Sequence, residues 1–173
     1  MVQNIAIVGL DRALSYEVGK LLAVELEMHF FDCIELFAFD NAPRTFSVML
    51  AEFGEKHYRT KEKGMLRYVS GFNETVINLE SGMASRENFK TIKSNSLLIY
   101  LHIPAGQVKK KLNKLKNLSK EERKFFNISP EKIEKRIAAY KKNADIIVPA
   151  VRGSALKISS DVLRQIKAYY NYQ

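Results

Sequence analysis

Short apolar runs alternate along this chain with longer stretches whose apolar positions recur every three or four residues. The runs at 4–9, 29–33, 75–79, 96–102 and 145–149 predict five strands. Several are apolar on consecutive positions, as in IAIV at 5–8 and LLIYL at 97–101, the pattern of strands buried on both faces. The stretches between them predict helices. The first, after Gly9, sets Leu14, Val18, Leu21 and Leu22 on one face, with Glu25 opening the wet side. Ser119 with Glu122 forms a capping box for a short helix. Ser129 and Pro130 read as the N-cap and first residue of a helix running to about Asn143. A last helix is expected after Ser160, with Val162, Ile166 and Tyr169 facing inward. This alternation predicts an α/β fold, a five-stranded parallel sheet with helices on both faces in a three-layer sandwich.

Composition narrows the class without changing that picture. The 173 residues suit a single domain over 1–173, with no repeat, linker or low-complexity tract. A content of 46% hydrophobic and 27% charged residues is that of a globular protein, not a disordered one. No apolar run reaches the roughly 18–20 residues that a membrane helix needs. The N-terminus runs straight into a strand with no charged leader, which argues against a signal peptide. The single cysteine, Cys33, has no internal partner and reads as a buried small residue. The expectation is a cytoplasmic protein.

Net charge is +9, and much of it lies in KKKLNKLKNLSKEERK at 109–124. These lysines surround Val108, Leu112, Leu115 and Leu118 at helical spacing, so the run reads as a helix with one packed and one solvated face. Clustered lysines also neutralise nucleic-acid phosphates. No aromatic residues alternate with these to stack on bases, and Phe125 and Phe126 at the end of the run suit tethering of a lid. Nucleic acid is therefore the disfavoured partner.

Candidate chemistry begins at the first strand-to-helix turn. A phosphate-binding loop needs G-x-x-x-x-G-K-[ST], so that N–H groups and a lysine surround the phosphates and a hydroxyl holds Mg²⁺. Here Gly9 fills the first position, but Leu14 stands for the second glycine, Ser15 for the lysine and Tyr16 for the small hydroxyl residue. Asp11 adds a negative charge inside the loop. Lys20 lies more than a turn along the predicted helix and is a poor substitute for the missing lysine.

Six blocks in order extend the comparison from Asn4 to about Val148: GLDRALSYEVGKLLAVEL at 9–26, FDCIE at 31–35, FGEKHYRTKE at 53–62, VINLESGM at 76–83, SLLIYL at 96–101 and EKRIAAYKKNADIIV at 134–148. Together they resemble the shikimate kinase family of small nucleoside-monophosphate-kinase-like enzymes. The resemblance implies a P-loop-kinase-like fold, with a helical lid remnant at about 105–130. It also implies roles for individual positions. Asp32 matches an aspartate that helps hold Mg²⁺ through water, whereas Ile34 replaces one that accepts substrate hydroxyls. Arg59 and Arg136 match carboxylate-binding arginines, and Glu62 matches the partner acid of the first. Of a three-glycine turn only Gly82 persists, after Glu80 and Ser81. Arg123 lies near the place of a lid arginine segment that is otherwise missing.

Each survivor has a plainer explanation. Arg59 and Glu62 lie three apart on a predicted helix and suit a surface pair, Arg136 sits on a basic helix, and Asp32 suits a cap at its strand end. Three functions follow. The first is a shikimate-kinase-like protein that has lost ATP binding and phosphoryl transfer and acts as a small-anion-binding or regulatory pseudoenzyme. Its site would be Arg59, Glu62, Gly82 and Arg136, its partner a small anion or a protein, with no metal and no cofactor. The second is an active shikimate kinase or related small-molecule kinase with a non-standard loop, using ATP and Mg²⁺ with Asp32 near the metal. The third is a nucleic-acid or acidic-surface binder working through the lysine-rich lid.

Overall fold

The computed structural model describes residues 4–42, 46–79, 82–83, 85–112, 130–151 and 153–171. Five strands form one parallel sheet: β1 Asn4–Gly9, β2 His29–Asp32, β3 Thr75–Asn78, β4 Ser96–His102 and β5 Ile146–Pro149. Their spatial order is β2-β3-β1-β4-β5, so β1 lies at the centre between β3 and β4. Seven described helices connect or follow them: α1 Arg12–Glu25, α2 Cys33–Asp40, α3 Phe46–Ser70, α4 Arg86–Lys93, α5 Ala105–Leu112, α6 Pro130–Asn143 and α7 Ala155–Asn171.

Alternation along the central strands divides the core between the two faces. Ile5 and Ile7 of β1 and Leu97, Ile99 and Leu101 of β4 pack with α1 and α7. Ala6 and Val8, with Leu98 and Tyr100, turn to the other face and meet Leu66 and Val69 of α3 and Phe89 and Ile92 of α4. The outermost strands are less apolar because each has a neighbour on one side only. In β5, Ile146 and Val148 are buried while Ile147 and Pro149 are exposed.

Three expectations need correction. The buried stripe of α1 is Ser15, Val18, Gly19, Leu22 and Ala23, and Leu21 is only half-buried. The small residues let the helix approach the sheet closely, since a Cβ at Gly19 would stand 2.6 Å from Phe30 Cε2. The last helix opens at Ala155, five residues before Ser160, because the Ser154 hydroxyl accepts from Lys157 N at 3.3 Å and starts it earlier. Cys33 begins α2 instead of ending β2, because Asp32 is the N-cap and its carboxylate accepts from Ile34 N and Glu35 N. Of the lid segment, Ala105–Leu112 is helical with Val108 buried, and Pro130 opens α6. Leu115, Leu118, the Ser119–Glu122 capping box, Arg123, Phe125, Phe126 and Ser129 lie outside the described residues, as do Glu80 and Ser81.

Candidate functional site

The turn after β1 is short. Only Leu10 and Asp11 separate Gly9 from Arg12, where α1 begins. Residues 12–16, the second half of the phosphate-loop frame, are therefore helix. Asp11 is the N-cap: its carboxylate accepts from Leu14 N at 3.3 Å, and its carbonyl accepts from Ser15 N at 3.0 Å. Two N–H groups that a phosphate would need are thus bonded within the helix terminus, one of them to a negative charge. Ser15, at the lysine position, points into the core at 1% exposure and donates its hydroxyl to Arg12 O. A Cβ at Gly9 would lie 3.4 Å from Leu101 O, close to ordinary contact.

Asp32 is fully engaged by the protein. It is 3% exposed, and its Oδ1 accepts from Ile34 N at 3.0 Å, Glu35 N at 2.9 Å and Arg12 Nη2 at 3.1 Å. Its Oδ2 accepts from Asn78 Nδ2 at 2.6 Å. Tyr16 stands beside Asp32 and Glu35. Its ring packs edge-on against Phe30 at 5.4 Å, between the Arg12 guanidinium at 5.9 Å and the Lys20 ammonium at 5.5 Å. A hydrogen bond to Glu35 is the main cause that raises the Tyr16 pKa above its usual value. A Mg²⁺ ion fits poorly here: both oxygens of Asp32 already accept hydrogen bonds, and a guanidinium stands against one of them. Among the described residues, no group of three or more His, Cys, Asp or Glu side chains converges as a metal site.

The second half of the site is built on α3. Gly54 breaks this helix, with φ 75° and ψ 172°, conformations open in practice to glycine alone. The helix then restarts and carries Tyr58, Arg59 and Glu62. Tyr58 is buried against Phe37 at 4.7 Å, and the Arg59 guanidinium lies over the Tyr58 ring at 5.3 Å. Glu62 is 2% exposed, accepting from Arg59 Nη1 at 2.6 Å and from Asn88 Nδ2 at 2.9 Å. Arg59 also approaches Glu55 at 3.7 Å. The surface pair suggested by the three-residue spacing is instead a buried acid holding a partly exposed arginine. Gly82 lies in the half-buried turn between β3 and α4, and Arg136 is half-buried on α6, one turn before the buried Tyr140.

Arg12, Asn78 and Asn88 were not singled out by sequence. Asn78 ends an otherwise apolar strand and Asn88 sits on the apolar face of α4, and a polar residue in such a place is the signal that exposes them.

A central β1 flanked by β3 and β4, with β2 and β5 outermost and helices on both faces, defines a P-loop-kinase-like α/β protein. The family model described as shikimate kinase matches residues 17–167, opening one residue beyond the loop frame. The chain belongs to the shikimate kinase family. The shikimate kinase of Alkaliphilus oremlandii is 28% identical over 170 residues, covering 96% of this chain and 100% of that one. That of Persephonella marina is 29% identical over 168 residues, covering 95% and 99%. Among solved structures, the shikimate kinase of Acinetobacter baumannii in complex with shikimate superposes with a TM-score of 0.78 at 21% identity, covering 97% of this chain and 94% of that one. The Bacteroides thetaiotaomicron enzyme gives 0.77 at 20% identity, covering 96% and 99%. No described helix is long and apolar enough to cross a membrane.

Proposed function

We propose that this protein is a shikimate-kinase-family member that does not bind Mg-ATP and holds a small carboxylate or similar anion through Arg59 and Arg136. The observation that carries this is the start of α1 at Arg12, which turns the phosphate loop into a helix terminus capped by Asp11. Phosphoryl transfer rests almost wholly on positioning and on stabilising phosphate charge. Loss of one preorganised donor commonly costs on the order of 10²–10³ in rate, and here the lysine, the second glycine and the small Ser or Thr at position 16 are absent together. The acid half gives the opposite impression. Glu62, itself held by the Asn88 amide, orients Arg59, which suits bidentate contact with a carboxylate. Arg136 would supply the second charge, and Gly82 would leave room beside it.

An active small-molecule kinase with a non-standard loop is the second possibility. It is favoured by relatives named shikimate kinase that match nearly end to end, and on the comparisons alone it fits better than a pseudoenzyme. Thermal unfolding with Mg-ATP, shikimate and sulfate in parallel separates the two. A rise in Tm with shikimate or sulfate that is lost in Arg59→Ala and in Arg136→Ala is the expected result. A rise with Mg-ATP restores the kinase, and a rise only with DNA or RNA favours the lysine-rich lid.

A further inference from the structure

On the far side of α3 from Arg59 and Glu62 runs a second stripe at three- and four-residue spacing, His57, Thr60, Lys61, Gly64 and Tyr68. Between this stripe and α2 lies a cavity of about 540 Å³, within the range of small-molecule sites. Its walls are Leu36, Phe37 and Met65, and Phe39 and Tyr68 stand at it with 85% and 65% of their surfaces exposed. Two large exposed aromatic rings beside one apolar cavity are unusual on a protein surface. Gly64 also needs an explanation. A glycine inside a helix costs about 1 kcal/mol against alanine, yet nothing lies within 4 Å of a Cβ built there, so close packing does not require it. Its effect is to leave the helix side of the cavity open.

Beside His57 and Thr60, the polar lining holds one acid–base pair, Asp40 and Lys61. Lys61 Nζ stands 3.9 Å from Asp40 Oδ2, with the side chains 43% and 72% exposed. That separation exceeds a hydrogen bond, so ammonium donors and carboxylate lone pairs remain open to a ligand. A molecule with its own adjacent ammonium and carboxylate would close a ring of four alternating charges, its ammonium on Asp40 and its carboxylate on Lys61. A ligand with only one charge would satisfy one member of the pair and repel the other.

We propose that this α2–α3 cavity is a binding site for a small zwitterion with a large apolar side chain, an α-amino acid in chemical class. Asp40 and Lys61 take the head, and the side chain lies between Leu36, Met65 and Tyr68. The assignment is independent of the Arg59 and Arg136 site and of any nucleotide chemistry.

Calorimetric titration of the full chain with phenylalanine, phenethylamine and 3-phenylpropionate tests it. Saturable binding of phenylalanine is expected, with each single-charge analogue weaker by about tenfold or more, as loss of a charge-assisted contact implies. Gly64→Leu, which fills the cavity with a good helix former, should abolish binding without lowering Tm, and Gly64→Ala should keep it. Lys61→Gln and Asp40→Asn should each weaken binding by about tenfold, which keeps the test decisive if Gly64→Leu does not fold. No saturable binding to the wild type, equal binding of all three compounds, or unchanged binding by the folded Gly64→Leu or by both charge variants would overturn the proposal.

Discussion

Asp32→Ala distinguishes a structural aspartate from a metal-site one. The carboxylate caps α2 through Ile34 N and Glu35 N, accepts from the buried Asn78 amide, and pairs with Arg12. Loss of such a cap costs about 1 kcal/mol. Leaving the Asn78 Nδ2 donor buried without a partner costs about 1–3 kcal/mol. The Arg12 pair adds less than about 1 kcal/mol, because the arginine side chain is 48% exposed and reaches water once released. The sum is about 3 kcal/mol, or roughly 6–12 °C in Tm for a chain of this size. Asp32→Asn should cost less. Its Oδ1 still caps α2, and Asn78 Oδ1, which is buried without a hydrogen-bond partner, can turn to accept from the new amide. Equilibrium urea unfolding of the three proteins, with and without millimolar Mg²⁺, reads this out. A loss below about 1 kcal/mol for Asp32→Ala would refute the structural role. So would a Mg²⁺-dependent gain in wild-type stability that the variant lacks.

Gly54→Ala should destabilise the protein by about 1–3 kcal/mol, since φ 75° with ψ 172° is strained for any residue with a Cβ. Denaturant unfolding showing no loss would remove the kink as a requirement for presenting Arg59. The half-buried His102 has its pKa lowered from 6.5, by burial first and then by the Lys141 charge, and its Nδ1 meets the buried Tyr100 hydroxyl at 3.0 Å. The unfolded chain takes up this proton before the folded one does, so stability should fall as pH drops below 6.5. His102→Asn should flatten that part of the profile, and an unchanged slope would contradict the assignment. At the alkaline end, burial raises Tyr100 from 10.0 to about 12, so its contribution should be lost as pH rises from 10 toward 12.

Much of the scaffold was legible because its signals are local. Consecutive apolar residues mark β1 and β4 as central strands, and the observed boundaries fall within one residue of the sequence limits for all five. Local signals were also misread. Asp11 was counted as a repulsive charge in a loop, although an aspartate just before Arg-Ala-Leu is equally an N-cap, and it is as a cap that it shortens the loop. Ser154 was overlooked in the same way. The rest depends on long-range pairing that no spacing encodes. Arg12 meets Asp32 across 20 residues, Asn88 meets Glu62 across 26, and Asn78 meets Asp32 across 46. The family resemblance therefore marks Asp32, Glu62 and Arg59, the first partner of Glu62, but not Arg12, Asn78 or Asn88. The spacing of Glu62 to Arg59 suits a site pair and a surface pair alike, because it is the same whether that helix face is wet or buried by α4.

We propose that the helical start at Arg12, with Asp11 bonded into it and Arg12 held on Asp32, takes the place of a triphosphate cradle. Calorimetric titration of the folded chain with Mg-ATP, alone and in the presence of shikimate, tests this most directly. No saturable heat in either titration is the predicted result. A micromolar affinity that disappears when Mg²⁺ is removed would contradict it, because such a site requires α1 to unwind and Asp32 to exchange its protein partners for the metal's water.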